Sequence, residues 1–394
     1  MLKARCLDYG RHRLAEFGLN PALIHANHGA YGAVPDSVRA AQREIQDQLR
    51  ANPCGFFRTI YPERIRAAAG RVAEFLGGAA QDWVFVENAT QAANTVIAGI
   101  ELAAGDEVLT TDQVYPAVRK AIRHRCQRTG ANLVEARISL PVTGPEDVVR
   151  AILNAVTGKT RLAVLDHISS PCGILFPLAE LCEKLRGLGV PVFVDAAHVP
   201  GNIDVDVAAM GADYFAANAH KWLCASHGAA MLWCRTDHQQ TLQPLTISHG
   251  HGLGYAPAFD WPGTRDPSAW LSVPAAIDFH IHAGDDALRV RNREVAFAAA
   301  QVLADEFNTV LAAPQDMQCA MAAIRLPNSA KLQPDRLDVI QQKMQSDQSI
   351  VVSITYADGS AWLRLSAAIY NDVDDLIEAG RRVWHVLEGD RRDA

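Results

Sequence analysis

Asp195 and Lys221 each close an apolar run, about two dozen residues apart, in VFVDAAHVPGNIDVDVAAMGADYFAANAHKW. Each run has the pattern of a buried parallel strand with a polar residue at its carboxyl end. Ligands of open α/β sheets sit just beyond the carboxyl ends of the strands, so both charges face one crevice. An acid and a lysine placed this way suit pyridoxal 5'-phosphate. The lysine holds the aldehyde as a Schiff base, and the carboxylate keeps the pyridine nitrogen protonated so that the ring accepts electrons. Taken alone, the two residues read first as a buried ion pair beside a core histidine, and the pattern around them is what favours the cofactor.

Other stretches extend the pattern. NHGAYG (27–32) is a loop dense in glycine and polar side chains. Strand-like WVFVE (83–87) runs into NATQAAN (88–94), a strand–turn–helix junction whose free N–H groups suit a phosphate. Thr90 there is either a phosphate ligand or a helix cap. GTRDPSA (263–269) and WLRLS (362–366) follow later in the chain.

DAAH, NAHKW, NHGAYG and GTRDPSA together make the chain resemble the aminotransferase class V family of fold-type I pyridoxal-phosphate enzymes, and within it isopenicillin N epimerase-like proteins. The resemblance runs from NHGAYG to RLSAAIY. It implies that Ala89 and Thr90 form the phosphate cup with His220, and that Tyr115 stacks on the pyridine. Ser170 and His198 would contact the cofactor's phenolic oxygen or the substrate; Ser170 and His198 stand where desulfurases carry asparagine and glutamine. Asn27 and His28 would border the substrate. Arg364 would grip the substrate α-carboxylate through a bidentate fork. Gly263 and Thr264 would reach the partner's phosphate site, making the protein a homodimer. The implied chemistry starts with Lys221 as base at Cα of an amino acid. It then divides into epimerisation, the first choice, with Tyr115, His28 or a water as second acid, and C–S lyase or aminotransferase chemistry as alternatives. A non-catalytic cofactor-binding homologue is the third class, but it would have no use for a carboxylate clamp.

The elements needed to position these groups are legible. Strands and helices alternate from 83 to 234, the signature of an α/β domain with a largely parallel sheet. We expect a large cofactor domain over 20–267, and a smaller α/β domain from 1–19 and 268–394. The latter contains a long helical run from 268 to about 307, and strands at 318–325, 349–355 and 361–366. An amphipathic helix is expected over 3–17, and the helix from Pro35 should break at NPCGFFRT (52–59).

Bulk properties narrow the partners. The 394 residues are 49% hydrophobic and carry a net charge of −7 with no basic block, which argues against nucleic acid. The first residues lack an apolar signal core and no apolar run reaches membrane length, so a cytoplasmic location is expected. The eight cysteines show no CxxC pair or zinc-like array. The late Cys319 reads as part of a strand, whereas the desulfurases that this family includes carry their nucleophilic cysteine on a small-residue-rich loop, so no persulfide-forming role is expected of it. HGHG (249–252) offers two histidines without a third ligand, so no metal is expected.

Overall fold

The computed structural model describes residues 8–327, 332 and 334–389. Twelve strands form among them: β1 (Ile24–His25), β2 (Trp83–Val86), β3 (Glu107–Thr111), β4 (Asn132–Ala136), β5 (Thr160–Asp166), β6 (Val192–Asp195), β7 (Tyr214–Asn218), β8 (Ala230–Cys234), β9 (Met321–Arg325), β10 (Ile350–Val351), β11 (Ser353–Ala357) and β12 (Ser360–Ser366). Seven build one sheet in the order β2-β8-β7-β6-β5-β3-β4. Only β8 runs antiparallel to its neighbours; the other strand pairs are parallel. The α/β expectation holds, and the chain reverses its direction of growth at β3, with β4 on one side and β5 on the other. That is the topological switch point where such sheets bind ligands.

Both faces of the central strands are covered. Val192 and Val194 enter one apolar cluster while Phe193 enters another, and Leu162 and Val164 alternate with Ala163 and Leu165 in the same way. The period of two thus assigns each strand-end residue to a face. Asp166 continues the row of Leu162 and Val164, and Asp195 continues that of Phe193. Both acids therefore leave the sheet on the side packed by helix Ala89–Gly99.

A second sheet, β11-β12-β9, is antiparallel throughout. Helices Asp286–Phe307 and Val373–Gly389 close its core, with Leu303, Leu363, Leu365 and Leu376 fully buried together. β1 pairs in parallel with β10, and Ser366 donates its N–H to the Ala26 carbonyl. The stretch before NHGAYG, which sequence reasoning grouped with the large domain, is thus stitched to the C-terminal sheet. Arg364 and Asn27 are brought together by that seam.

Several boundaries differ from expectation. The helical run after Ser268 is cut into Ser268–Leu271, Val273–His282 and Asp286–Phe307. Pro274 lacks the N–H that would continue the first turn, and Gly284 and Asp285 take positive φ at the second break. NPCGFFRT does not end in a loop. Asn52 (φ −154°) interrupts the helix for one residue, and a wide turn over Phe56–Ile60 leads directly into Tyr61–Leu76. The first helix is a tight 3₁₀ segment, Arg11–Phe17; residues 3–7 of that expectation lie outside the described residues. No helix among the described residues is long and apolar enough to cross a membrane.

Candidate active site

The turn after β7 carries Lys221 into a cavity of about 380 Å³, also lined by Asp166, Asp195, His198, Thr90 and Tyr115. The backbone of this turn is held from three sides. Its own carbonyls close it: Cys224 N–H reaches Lys221 O at 3.1 Å and Ala225 N–H reaches Ala219 O at 3.0 Å. Two glycines with positive φ press against it. A Cβ on Gly32 would lie 1.9 Å from the His220 carbonyl oxygen, and one on Gly201 would lie 2.5 Å from that of Trp222. No other residue fits either position. The third support is His28, whose Nε2 lies 3.0 Å from Lys221 O. A carbonyl only accepts, so Nε2 carries the proton and Nδ1 accepts from the Tyr370 hydroxyl at 2.7 Å. Burial pulls this imidazole down to about 4, so it is neutral.

His28 is therefore 5% exposed, with both nitrogens engaged, and is not among the residues lining the cavity. Expected at the substrate, it stands behind the lysine and fixes its main chain. Asn27 likewise does not line the cavity. It donates to Val352 O at 3.3 Å and accepts from Arg364 Nη2 at 3.2 Å, which orients the guanidinium.

The polar groups around the amine form a consistent set. Trp222 donates its indole N–H to His198 Nδ1 at 3.3 Å, so the neutral ring holds its proton on Nε2, 3.3 Å from Lys221 Nζ. That proton needs an acceptor, and an uncharged amine is one. Burial, then the Arg364 charge, lower the Lys221 amine to about 8, against a smaller opposing pull from Asp195 and Asp166. Asp195 is buried and accepts the Ala197 N–H at 3.0 Å; burial raises its carboxyl above the usual range.

At the other end of the cavity, helix Ala89–Gly99 begins. Asn88 caps it by accepting from Gln91 N–H at 2.9 Å, and Asn218 accepts the Ala89 N–H at 2.8 Å. Thr90 therefore does not cap the helix. Its N–H and hydroxyl have no partner among the described residues, at the positive end of an eleven-residue helix. His220 donates Nδ1–H to Ala229 O at 3.1 Å beside this end.

Arg364 is 4% exposed, and the described residues place no carboxylate within ion-pair distance of it. Its Nη1 donates to the carbonyl of Ser170, a cavity residue, and Nε is unpartnered. Burial lowers the guanidinium to about 10. Gly263 and Thr264 line a separate recess of about 190 Å³ with Glu87, Gln91 and Trp270, and are not among the residues lining the Lys221 cavity.

Sequence reasoning passed over Tyr31, Asn88, Asp166 and Asn218, which line the cavity. Tyr31 and Asn88 sat inside motifs already singled out. Asp166 ends an apolar run as Asp195 does, and that parallel was a usable signal.

A largely parallel sheet with a half-buried lysine, a buried acid and a helix N-terminus whose Thr90 N–H and hydroxyl are left unpartnered at its switch point defines a cofactor-dependent enzyme of the pyridoxal-phosphate type. Residues 41–377 match the model of the family described as aminotransferase class-V. The chain is 32% identical over 399 residues to a putative L-cysteine desulfhydrase 1 of Oryza sativa subsp. japonica, covering 92% of this chain and 83% of the relative. It is 31% identical over 327 residues to isopenicillin N epimerase of Streptomyces clavuligerus, covering 78% and 82%. Its fold matches an apo cysteine desulfurase from Thermococcus onnurineus NA1 with a TM-score of 0.79 at 19% identity, over 97% and 98% of the chains. The chain belongs to the aminotransferase class-V family and is a pyridoxal-phosphate enzyme of it.

The residues present fit that cofactor. The unpartnered Thr90 N–H and hydroxyl suit its phosphate, the Lys221 amine, lowered to about 8, its aldehyde, and Asp195 its ring nitrogen. His198 Nε2–H is free to donate to its phenolic oxygen once the amine no longer accepts it.

Proposed function

We propose that this enzyme is a lyase that breaks the Cβ–S bond of a small L-amino acid of the cysteine type. The observation that carries the substrate class is Arg364: a buried cation without a carboxylate among the described residues, beside the lysine amine it perturbs. Burying an unpaired charge is costly, and the α-carboxylate of an amino acid supplies the missing anion with matching fork geometry. Substrate size follows from the cavity. Its 380 Å³ lies near the lower end of ligand sites, roughly 300–1,000 Å³, and must hold cofactor and substrate together.

The bound cofactor supplies an electron sink for the pair left behind when the Cα–H bond breaks. Lys221, whose amine is lowered to about 8 so that an uncharged fraction is present near neutral pH, takes that proton. Arg364 and Asn27 hold the carboxylate, and with it the orientation of Cα. Tyr115, a half-exposed cavity residue, delivers a proton to the departing sulfur. Water completes the balance, so that cysteine yields pyruvate, ammonia and hydrogen sulfide. The cysteines near the site do not take part as nucleophiles: burial raises Cys319 to about 11 and Cys224 to about 12, which leaves almost no thiolate. A second reading, epimerisation, rests on Tyr115 returning the proton to the opposite face of Cα; His28 is too fully engaged for that role. Incubation with L-cysteine in heavy water separates the two. We expect pyruvate and sulfide in equal amounts, whereas deuterated, inverted amino acid without sulfide would establish the epimerase.

The working unit we propose is a homodimer in which Gly263 and Thr264 meet the partner's phosphate site. Thr264 lines a recess other than its own chain's Lys221 cavity, and Tyr31, which lines that cavity, is 77% exposed. Co-expressing a Lys221→Ala chain with a Thr264→Ala chain tests this. Mixed dimers should regain about half of wild-type activity, since one site then holds both native residues. Activity no higher than either parent would place Thr264 in cis.

A further inference from the structure

Asp195 has a twin. Asp166 is its register partner across the β5–β6 pair, and alternation puts both side chains on the same face of the sheet. Adjacent strands lie roughly 4.8 Å apart, so the two carboxyls are immediate neighbours. Both line the Lys221 cavity, and they are 2% and 4% exposed. Two buried carboxyls side by side disfavour double ionisation, which favours a proton held by the pair. Few positive charges face it: Lys221 faces Asp195, and Arg119 on helix Pro116–Thr129 faces Asp166 but is already paired with Glu135 at 2.6 Å.

The surroundings decide where that proton sits. Asp195 accepts the Ala197 N–H and faces the amine, the environment of an anion. Asp166 keeps Oδ2 buried with no partner among the described residues, and the backbone N–H groups of Asp166 and Tyr115 only partly offset its burial. An ionised oxygen there would be an unsatisfied buried charge, whereas a protonated one has an acceptor in its neighbour. Burial and the Asp195 charge both push the Asp166 carboxyl well above the usual carboxylate range.

We infer that Asp166 is a positioning residue: a neutral acid that donates a hydrogen bond to Asp195 and keeps that side chain the anion opposite the cofactor's ring nitrogen. This rests on the cofactor reading of Lys221 and Asp195 and extends it. Without the donor, Asp195 becomes more basic and draws the proton off the ring, which weakens the electron sink and makes the lysine-linked nitrogen more basic.

The test uses holoenzyme reconstituted with pyridoxal 5'-phosphate, as wild type, Asp166→Asn and Asp166→Leu. The pH midpoint of the cofactor's visible absorbance is read in each. Asparagine still donates and should leave the midpoint where it was; leucine should raise it by about one unit or more. Downward shifts in both variants would mean that Asp166 is itself an anion, and unchanged midpoints in both would make it a bystander; either overturns the inference. Should the leucine variant not fold, infrared spectra of wild type and Asp166→Asn decide. The carbonyl stretch of a neutral carboxyl must be present at neutral pH in the first and missing from the second, and its absence from wild type refutes the assignment. A wild-type protein that never develops a borohydride-fixable colour would instead defeat the underlying cofactor reading.

Discussion

Replacing Lys221 with alanine is expected to lower turnover by at least about 10³-fold, because one residue serves as both the anchor of the cofactor and the base at Cα. Borohydride should then fix no cofactor to the chain. The same side chain has an opposite effect on the empty fold. Its amine falls from 10.5 to about 8 on burial, so between those values the unfolded chain binds more protons than the folded one. Stability therefore rises with pH from about 8 to 10.5. Below 8 both states are protonated and the full penalty, about 3 kcal/mol, is present. A Lys221→Met apoprotein, which retains most of the volume, should be more stable than wild-type apoprotein at pH 7 by about 2–3 kcal/mol. That advantage should vanish by about pH 10.5. Urea denaturation at the two pH values measures it, and equal stability at pH 7 would mean that the amine is not strained in the native state. An enzyme built this way gives up stability to keep an uncharged amine ready, and cofactor capture recovers it.

How much of this was legible in the sequence depended on whether a residue's role was carried by its own strand or by distant chain. Asp195 and Lys221 announce themselves because an apolar run ending in a polar residue has few other uses, and their strands place them in one cavity. Thr90 was ambiguous between cap and ligand until Asn88 was seen to take the cap. His28 was misjudged for a physical reason. A histidine in a glycine-rich motif looks like a contact residue, and nothing local reveals that Tyr370 and the Lys221 carbonyl occupy both of its nitrogens. Asp166 failed the other way: its significance is a pairing across two strands, and period and register must be known before two acids become one proton-sharing unit. A glycine shows the same limit. Gly32 reads as a turn residue, while its requirement is set by the backbone of a segment nearly two hundred residues away.

Removing the Arg364 fork should damage catalysis in a manner specific to carboxylate. Truncating one partner of a buried charge pair costs about 3–5 kcal/mol, so Arg364→Met should reduce kcat/KM for cysteine by roughly 10²–10⁴-fold. Arg364→Lys should recover only part, since an ammonium cannot reproduce the two parallel bonds and sits off the Ser170 and Asn27 acceptors. Cysteamine, which is cysteine without the carboxylate, separates the interpretations. Wild type should prefer cysteine strongly, and in Arg364→Met that preference should collapse because the cysteine rate falls far more than the cysteamine rate. An equal fall for both compounds would show that Arg364 acts through the fold. The variant also reports on the lysine. The Arg364 charge helps to hold the amine down to about 8, so in Arg364→Met the pH midpoint for capture of pyridoxal phosphate by the apoprotein should move upward. The two effects share a cause: with no protein carboxylate to neutralise it, this cation acts both on the anion of the substrate and on the base that attacks it.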